Sequence, residues 1–144
     1  MPGAPGVGRG VARAARILVV EDNETLRTLV AQALESEGWV AIAAESGEAA
    51  LEVAHLAHPD LCLVDHVMPG MTGADFLRFL RASADERLRT IPVIGLSAYE
   101  SGRHELVAAG AVSALGKPVA YETLIALIRS TLEKSSGRAP AGVS

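Results

Sequence analysis

Leu61-Cys62-Leu63-Val64-Asp65-His66-Val67-Met68-Pro69-Gly70 is the stretch on which the fold turns. An apolar run ends in a single carboxylate, and a Pro-Gly turn follows. A run this short and this apolar reads as a strand covered on both faces, as in a parallel sheet. Aspartate is poor in strands and costly to bury, so Asp65 belongs at the carboxyl end of the strand, opening onto solvent. In open parallel α/β sheets, ligands bind along that edge.

On either side of this stretch the chain alternates strands and helices. Arg16–Val20 is a β-branched strand that runs into Glu21 and Asp22. Leu26, Leu29, Val30, Ala33 and Leu34 form one helical stripe, with Asn23 as its N-cap and Gly38 as its stop. Trp39–Ala43 reads as the second strand, and Ser46 caps a helix to Ala57, closed by Pro59. Beyond Gly70, Thr72 and Asp75 resemble a capping box for a helix carrying Phe76, Leu77 and Leu80. Ser83 to Thr90 reads as a linker. Pro92–Leu96 is a fourth strand ending at Ser97, with the proline at its first residue. A helix over Gly102–Ala109, stopped by Gly110, precedes a short fifth strand, Val112–Leu115. After Gly116-Lys117-Pro118, the stripe Tyr121, Leu124, Ile125, Ile128 and Leu132 marks the last helix. Five strand-helix units of this kind imply right-handed crossovers and a parallel sheet with helices on both faces.

Composition narrows the class of function. The 144 residues suit one domain with a full core, and 49% hydrophobic content argues against disorder. A net charge of -4 without a basic block speaks against direct nucleic-acid binding. Apolar runs stay well short of membrane-spanning length. The single cysteine, Cys62, excludes an internal disulfide framework, fits a reducing cytoplasm and reads as a buried apolar side chain. Residues 1–15 are rich in glycine and read as a flexible tail, residues 16–134 as the folded domain and residues 135–144 as a second flexible tail. His55 and His58 share a helical face, but no cysteine or third histidine joins them.

All strand ends of a parallel sheet lie on one edge, so Glu21, Asp22, Asp65, Ser97 and Lys117 converge there. Three carboxylates in one place stay ionised together when a cation neutralises them. Oxygen ligands around an open mouth favour Mg²⁺. A lysine and a hydroxyl beside them suit phosphate oxygens. Such a set can take up a phosphoryl group on a carboxylate nucleophile.

These residues bring a family into view. Ile17–Asn23, Leu63–Gly73, Leu96–Ala98, Ala109–Ala111 and Gly116–Pro118 together resemble the response-regulator receiver domain of two-component signalling. None of the five pieces suffices alone; their order and spacing carry the resemblance. It implies a flavodoxin-like (βα)₅ fold with a five-stranded parallel sheet in the order 2-1-3-4-5. It implies that Asp65 accepts a phosphoryl group from a phosphohistidine, that Glu21, Asp22, Asp65 and the backbone carbonyl of Val67 hold Mg²⁺, and that Ser97 and Lys117 contact the phosphoryl oxygens. A cis Lys117–Pro118 bond that aims the lysine at the site is implied as well. The implied partners are a sensor histidine kinase or a histidine phosphotransfer protein, a downstream protein target and a second copy of the chain, with no nucleic acid and no membrane. The implied chemistry is autocatalytic phosphoryl acceptance and self-dephosphorylation, not turnover of a substrate, and the expected form is a stand-alone receiver.

Two positions depart from the family pattern. Ala114 stands where receivers commonly carry an aromatic, which leaves open an interaction module that works without phosphorylation; Tyr99 is the candidate substitute. His66 follows Asp65 where an apolar residue is more common. Two enzymatic alternatives lack their residues. A haloacid-dehalogenase-type phosphatase wants a second aspartate at Val67, and a flavin carrier wants a Ser/Thr/Gly-rich loop in place of Glu21-Asp22-Asn23-Glu24.

Overall fold

The structure, a computed structural model, describes residues 13–141, and the side chains of 13–135. In chain order the elements are β1 (Arg16–Val20), α1 (Glu24–Ser36), β2 (Val40–Ala44), α2 (Gly47–Ala57), β3 (Leu61–Asp65), α3 (Gly73–Arg81), α4 (Glu86–Arg89), β4 (Val93–Ser97), α5 (Glu100–Ala108), β5 (Ser113–Gly116) and α6 (Tyr121–Ala141). The five strands form one sheet in the order β2-β1-β3-β4-β5, every pair parallel. This is the expected (βα)₅ order, with β3 in the middle and buried at all five residues.

Strand alternation sorts the core into two layers, because successive side chains point to opposite faces. Leu18, Val20, Cys62, Val64 and Val93 face α2, α3 and α5, where Ala50, Ala54, Phe76, Leu77, Leu80 and Leu106 complete one cluster. Ile17, Val19, Leu61, Leu63 and Ile94 face α1 and α6, where Leu34, Leu124, Ile125 and Ile128 complete the other. With both faces covered, the central strands β1, β3 and β4 have no polar side, which is why they read as continuous apolar runs.

The predicted caps form. The Asn23 side chain accepts from the Leu26 N–H at 2.9 Å, and Ser46 Oγ accepts from the Ala49 N–H at 3.1 Å. Thr72 Oγ1 accepts from the Asp75 N–H and Asp75 Oδ2 accepts from the Thr72 N–H, each at 3.1 Å, so aspartate closes the capping box in place of the longer glutamate. The strands β2, β4 and β5 each begin one residue later than the sequence pattern predicts, a slip expected where boundary residues are apolar on both sides.

Two larger differences concern whole segments. Ser83–Thr90 is not simply a linker: it contains α4, capped by Asp85 and anchored by the buried Leu88. Arg81 fixes the C-terminal end of this segment, donating to the carbonyls of Arg89 (3.1 Å) and Ile91 (2.7 Å) and, beyond it, of Gly110 (2.9 Å). At the C-terminus, α6 continues past Ser135 to Ala141, through Gly137 and Pro140, where the sequence pattern predicts a tail. Residues 1–12 and 142–144, to which the expected tails also extend, lie outside the described residues.

Cys62 is completely buried at mid-strand, and burial pushes its thiol up to about 12. A neutral-pH maleimide is therefore expected to leave the native protein unmodified and to label Cys62 only as denaturant unfolds the sheet. Labelling should track the loss of circular dichroism, and rapid labelling in buffer alone would contradict this packing.

Candidate functional site

The strand ends deliver the expected groups to one edge. Asp65 is the last residue of β3 and is 4% exposed, while Glu21, directly after β1, is 7% exposed. The carboxylate therefore does not open freely onto solvent as the sequence reading expected; it is buried and paired. The Lys117 ammonium forms an ion pair with Asp65 Oδ1 and lies 3.7 Å from Glu21 Oε1. The Lys117–Pro118 bond is cis. Carboxylate oxygens of Glu21, Asp22 and Asp65 all lie within 4.8 Å of one another, with Asp22 exposed on the outer side. Among the described residues this trio is the cluster suited to a metal ion; His55 and His58 enter none.

Backbone contacts hold these side chains in place. Glu21 Oε2 accepts from the Asn23 N–H at 3.1 Å. The Arg27 guanidinium, reaching back from α1, donates to the carbonyls of Glu21 (2.8 Å) and Asp22 (3.3 Å). Burial pushes the Glu21 carboxyl above its ordinary value; the Asn23 N–H opposes this and the neighbouring Asp65 charge adds to it. Burial works against the charged Lys117, but the hydrogen bond and charge of Asp65, with Glu21 behind them, hold the ammonium above its ordinary range. A lysine raised in this way stabilises the fold fully below its unfolded value. That contribution fades only as pH rises through the folded value, so it is present throughout neutral pH.

Ser97, the last residue of β4, is 1% exposed. Its Oγ accepts from the Tyr99 N–H at 3.1 Å, and its carbonyl accepts from the Lys117 N–H and from Arg103 Nη1, both at 3.1 Å. Val67 lies in the loop beyond β3 and is 60% exposed. Tyr99 is 65% exposed and does not fill the interior position that an aromatic at Ala114 would occupy. Ala114 itself packs against the α3–α5 core cluster.

Sequence reasoning missed three residues that shape this edge. Gly73 opens α3 so close to β3 that a Cβ there would lie 2.7 Å from the Asp65 carbonyl oxygen and 2.9 Å from His66 Cα. Gly102 brings α5 so close that a Cβ would lie 2.4 Å from Ser97 Oγ and 2.9 Å from His66 Cδ2. Glu105 Oε1 sits 2.8 Å from His66 Nε2. The two glycines each open or sit within a helix, a costly place for that residue, and this is the signal that sequence offered.

The donor set fits a hard divalent cation: oxygen ligands only, clustered carboxylates and one exposed side. A carboxylate paired with an ammonium, with a serine hydroxyl at the end of the adjacent strand, is a set that can bind and neutralise a phosphoryl group.

Comparison with known proteins agrees with this geometry. A family model described as the response regulator receiver domain matches residues 17–129. The polar-differentiation response regulator DivK of Brucella ovis is 36% identical over 118 residues, covering 81% of this chain and 94% of DivK. The chemotaxis protein CheY of Pseudomonas aeruginosa is 35% identical over 126 residues, covering 85% of this chain and 99% of CheY. Among solved structures, the receiver domain of the sensor histidine kinase PA1611 from Pseudomonas aeruginosa is similar at a TM-score of 0.76 and 28% identity, over 83% of this chain and 98% of that one; it has a magnesium ion coordinated in its active-site cleft. By sequence, by strand order and by the groups gathered at its sheet edge, the chain belongs to the response-regulator receiver domain family of two-component signalling.

Proposed function

We propose that the chain, folded as a receiver over residues 16–134, is a phosphoacceptor switch that takes a phosphoryl group onto Asp65 from a phosphohistidine. The observation that carries this reading is the meeting of the buried Asp65 carboxylate with Lys117 and with the carboxylates of Glu21 and Asp22. In the transfer, an Asp65 carboxylate oxygen attacks phosphorus, the phosphorus–nitrogen bond to the donor imidazole breaks, and its electron pair stays on that nitrogen. Water later attacks the same phosphorus, the phosphorus–oxygen bond to Asp65 breaks, and the free carboxylate and inorganic phosphate result. Glu21, Asp22, Asp65 and the Val67 carbonyl would hold Mg²⁺, which supplies charge neutralisation for the phosphoryl oxygens. Lys117, already at Asp65, would follow the negative charge onto the phosphoryl group, and Ser97 would rotate its hydroxyl from the Tyr99 N–H toward it. The chain then acts as a signalling protein with acceptance and self-dephosphorylation as its only chemistry.

The proposed donor is a sensor histidine kinase or a histidine phosphotransfer protein, and the proposed readers are a downstream protein and a second copy of this chain. A cytoplasmic setting is consistent with the buried free thiol and with the described helices, none of which is long and apolar enough to cross a membrane. A second reading, a binding module indifferent to phosphate, is favoured by one observation: Ala114 lacks an aromatic and the exposed Tyr99 does not replace it.

The test is intact-protein mass after incubation with Mg²⁺ and a small acyl-phosphate donor, repeated with a phosphohistidine protein. One added phosphoryl group, lost with EDTA, is the expected result. An unchanged mass with both donors would overturn the switch and leave the binding module.

A further inference from the structure

His66 links the phosphoacceptor to α5, and it is fixed on every side. Its backbone N–H donates to the Leu96 carbonyl and its carbonyl accepts from the Gly73 N–H, both at 2.9 Å. Its ring is buried. Nδ1 accepts from the Ala74 N–H at 3.4 Å, which assigns the ring proton to Nε2, and Nε2 donates to Glu105 Oε1 at 2.8 Å. The imidazole thus joins the end of β3, the first turn of α3 and the middle of α5.

The helix it reaches is seated on the sheet by a narrow apolar seam and a few polar contacts. The N-cap of α5, Tyr99, makes no side-chain capping bond, and only Gly102 and Leu106 of the helix are buried. Gly102 is the point where α5 rests on the Ser97 hydroxyl and the His66 ring together. Arg103, the next residue, donates to the Ser97 carbonyl. Glu105 stays 59% exposed, so water would solvate it equally well if the contact had no consequence. Beside the apolar contact of Leu106 with the core, the polar side-chain contacts that tie α5 to the strand ends are those of Arg103 and Glu105. Both contacts here come from residues flanking the acceptor pocket, and Ala114 provides no aromatic to carry a signal by another route.

We infer that His66 is a positioning residue which, through its hydrogen bond to Glu105, couples the phosphorylation state of Asp65 to the position of α5. The inference rests on the reading of Asp65 as the acceptor. In the unphosphorylated protein the bond holds α5 down on the strand ends. When Ser97 turns to the phosphoryl group and the His66 segment adjusts, the bond loosens and releases α5, whose outer surface a partner can read.

Hydrogen exchange across 100–108, followed with and without acyl phosphate and Mg²⁺, tests this in the full chain. Intact mass is read on the same samples. In wild type, phosphorylation is expected to speed exchange in α5. Glu105→Ala should accept the phosphoryl group as wild type does. Its α5 should exchange about tenfold faster before any donor is added, the size of effect one such hydrogen bond supplies, and phosphorylation should add little more. Glu105→Gln, whose amide oxygen still accepts from Nε2, should restore the wild-type response. His66→Phe should match Glu105→Ala, and the double variant should add nothing beyond either single change. An α5 response of wild-type size in phosphorylated Glu105→Ala, or additive effects in the double variant, would overturn the coupling and leave Asp65 as acceptor. No adduct on wild type would overturn the acceptor reading, and the coupling with it.

Discussion

Asp65→Asn is expected to take up no phosphoryl group from either an acyl phosphate or a phosphohistidine donor, against one per chain for wild type. The amide nitrogen carries no lone pair able to attack phosphorus, and the amide oxygen is a far poorer nucleophile than a carboxylate. Nothing else on this edge replaces it: Glu21 is turned toward the Asn23 N–H, and Asp22 is exposed on the outer side. The variant should fold. Asparagine keeps the shape of the side chain, its loss of charge relieves repulsion with Glu21, and Lys117 retains the Glu21 carboxylate, 3.7 Å away in wild type. Intact-mass spectrometry with a melting curve on the same preparation decides it. A folded Asp65→Asn protein that still gains a phosphoryl group would place the acceptor elsewhere.

Gly73→Ala should lower stability by about 3 kcal/mol, in the range of overpacking at a site that cannot relax. The added Cβ would stand 2.7 Å from the Asp65 carbonyl oxygen and 2.9 Å from His66 Cα. Both neighbours are backbone atoms, and the Gly73 N–H is bonded to the His66 carbonyl at 2.9 Å. Relief therefore requires α3 and the end of β3 to move apart, which also displaces the acceptor. The thermal midpoint should fall by roughly 10 °C for a fold of this size, and phosphoryl acceptance should slow alongside. Gly116→Ala is the milder comparison, since its Cβ would meet only the flexible end of the Arg103 side chain, at 3.1 Å, which can shift at the expense of its bond to the Ser97 carbonyl rather than by moving backbone. A Gly73→Ala protein as stable as Gly116→Ala would mean that the α3–β3 junction is looser than this packing implies.

The alternation of apolar strands and amphipathic helices determined the layered parallel fold, because the central strands β1, β3 and β4 are buried on both faces and the long helices turn an apolar face to them. The caps at Asn23, Ser46 and Thr72 were legible for the same reason: capping is local, and both partners lie within three residues. The carboxylates, Ser97 and Lys117 could be gathered on one edge from sequence, because a parallel sheet sends every strand end the same way. What local pattern could not decide were contacts between residues far apart in the chain. That Asp65 is buried and paired with Lys117 depends on how deeply β3 and β5 set the two side chains. That Ser83–Thr90 folds into α4 depends on Leu88 reaching the core and on Arg81 binding its carbonyls. That Tyr99 points outward, leaving Ala114 without an aromatic partner, depends on the turn into α5. The link from His66 to Glu105 needs α5 to approach β3, and only packing, through the missing side chain of Gly102, sets that distance.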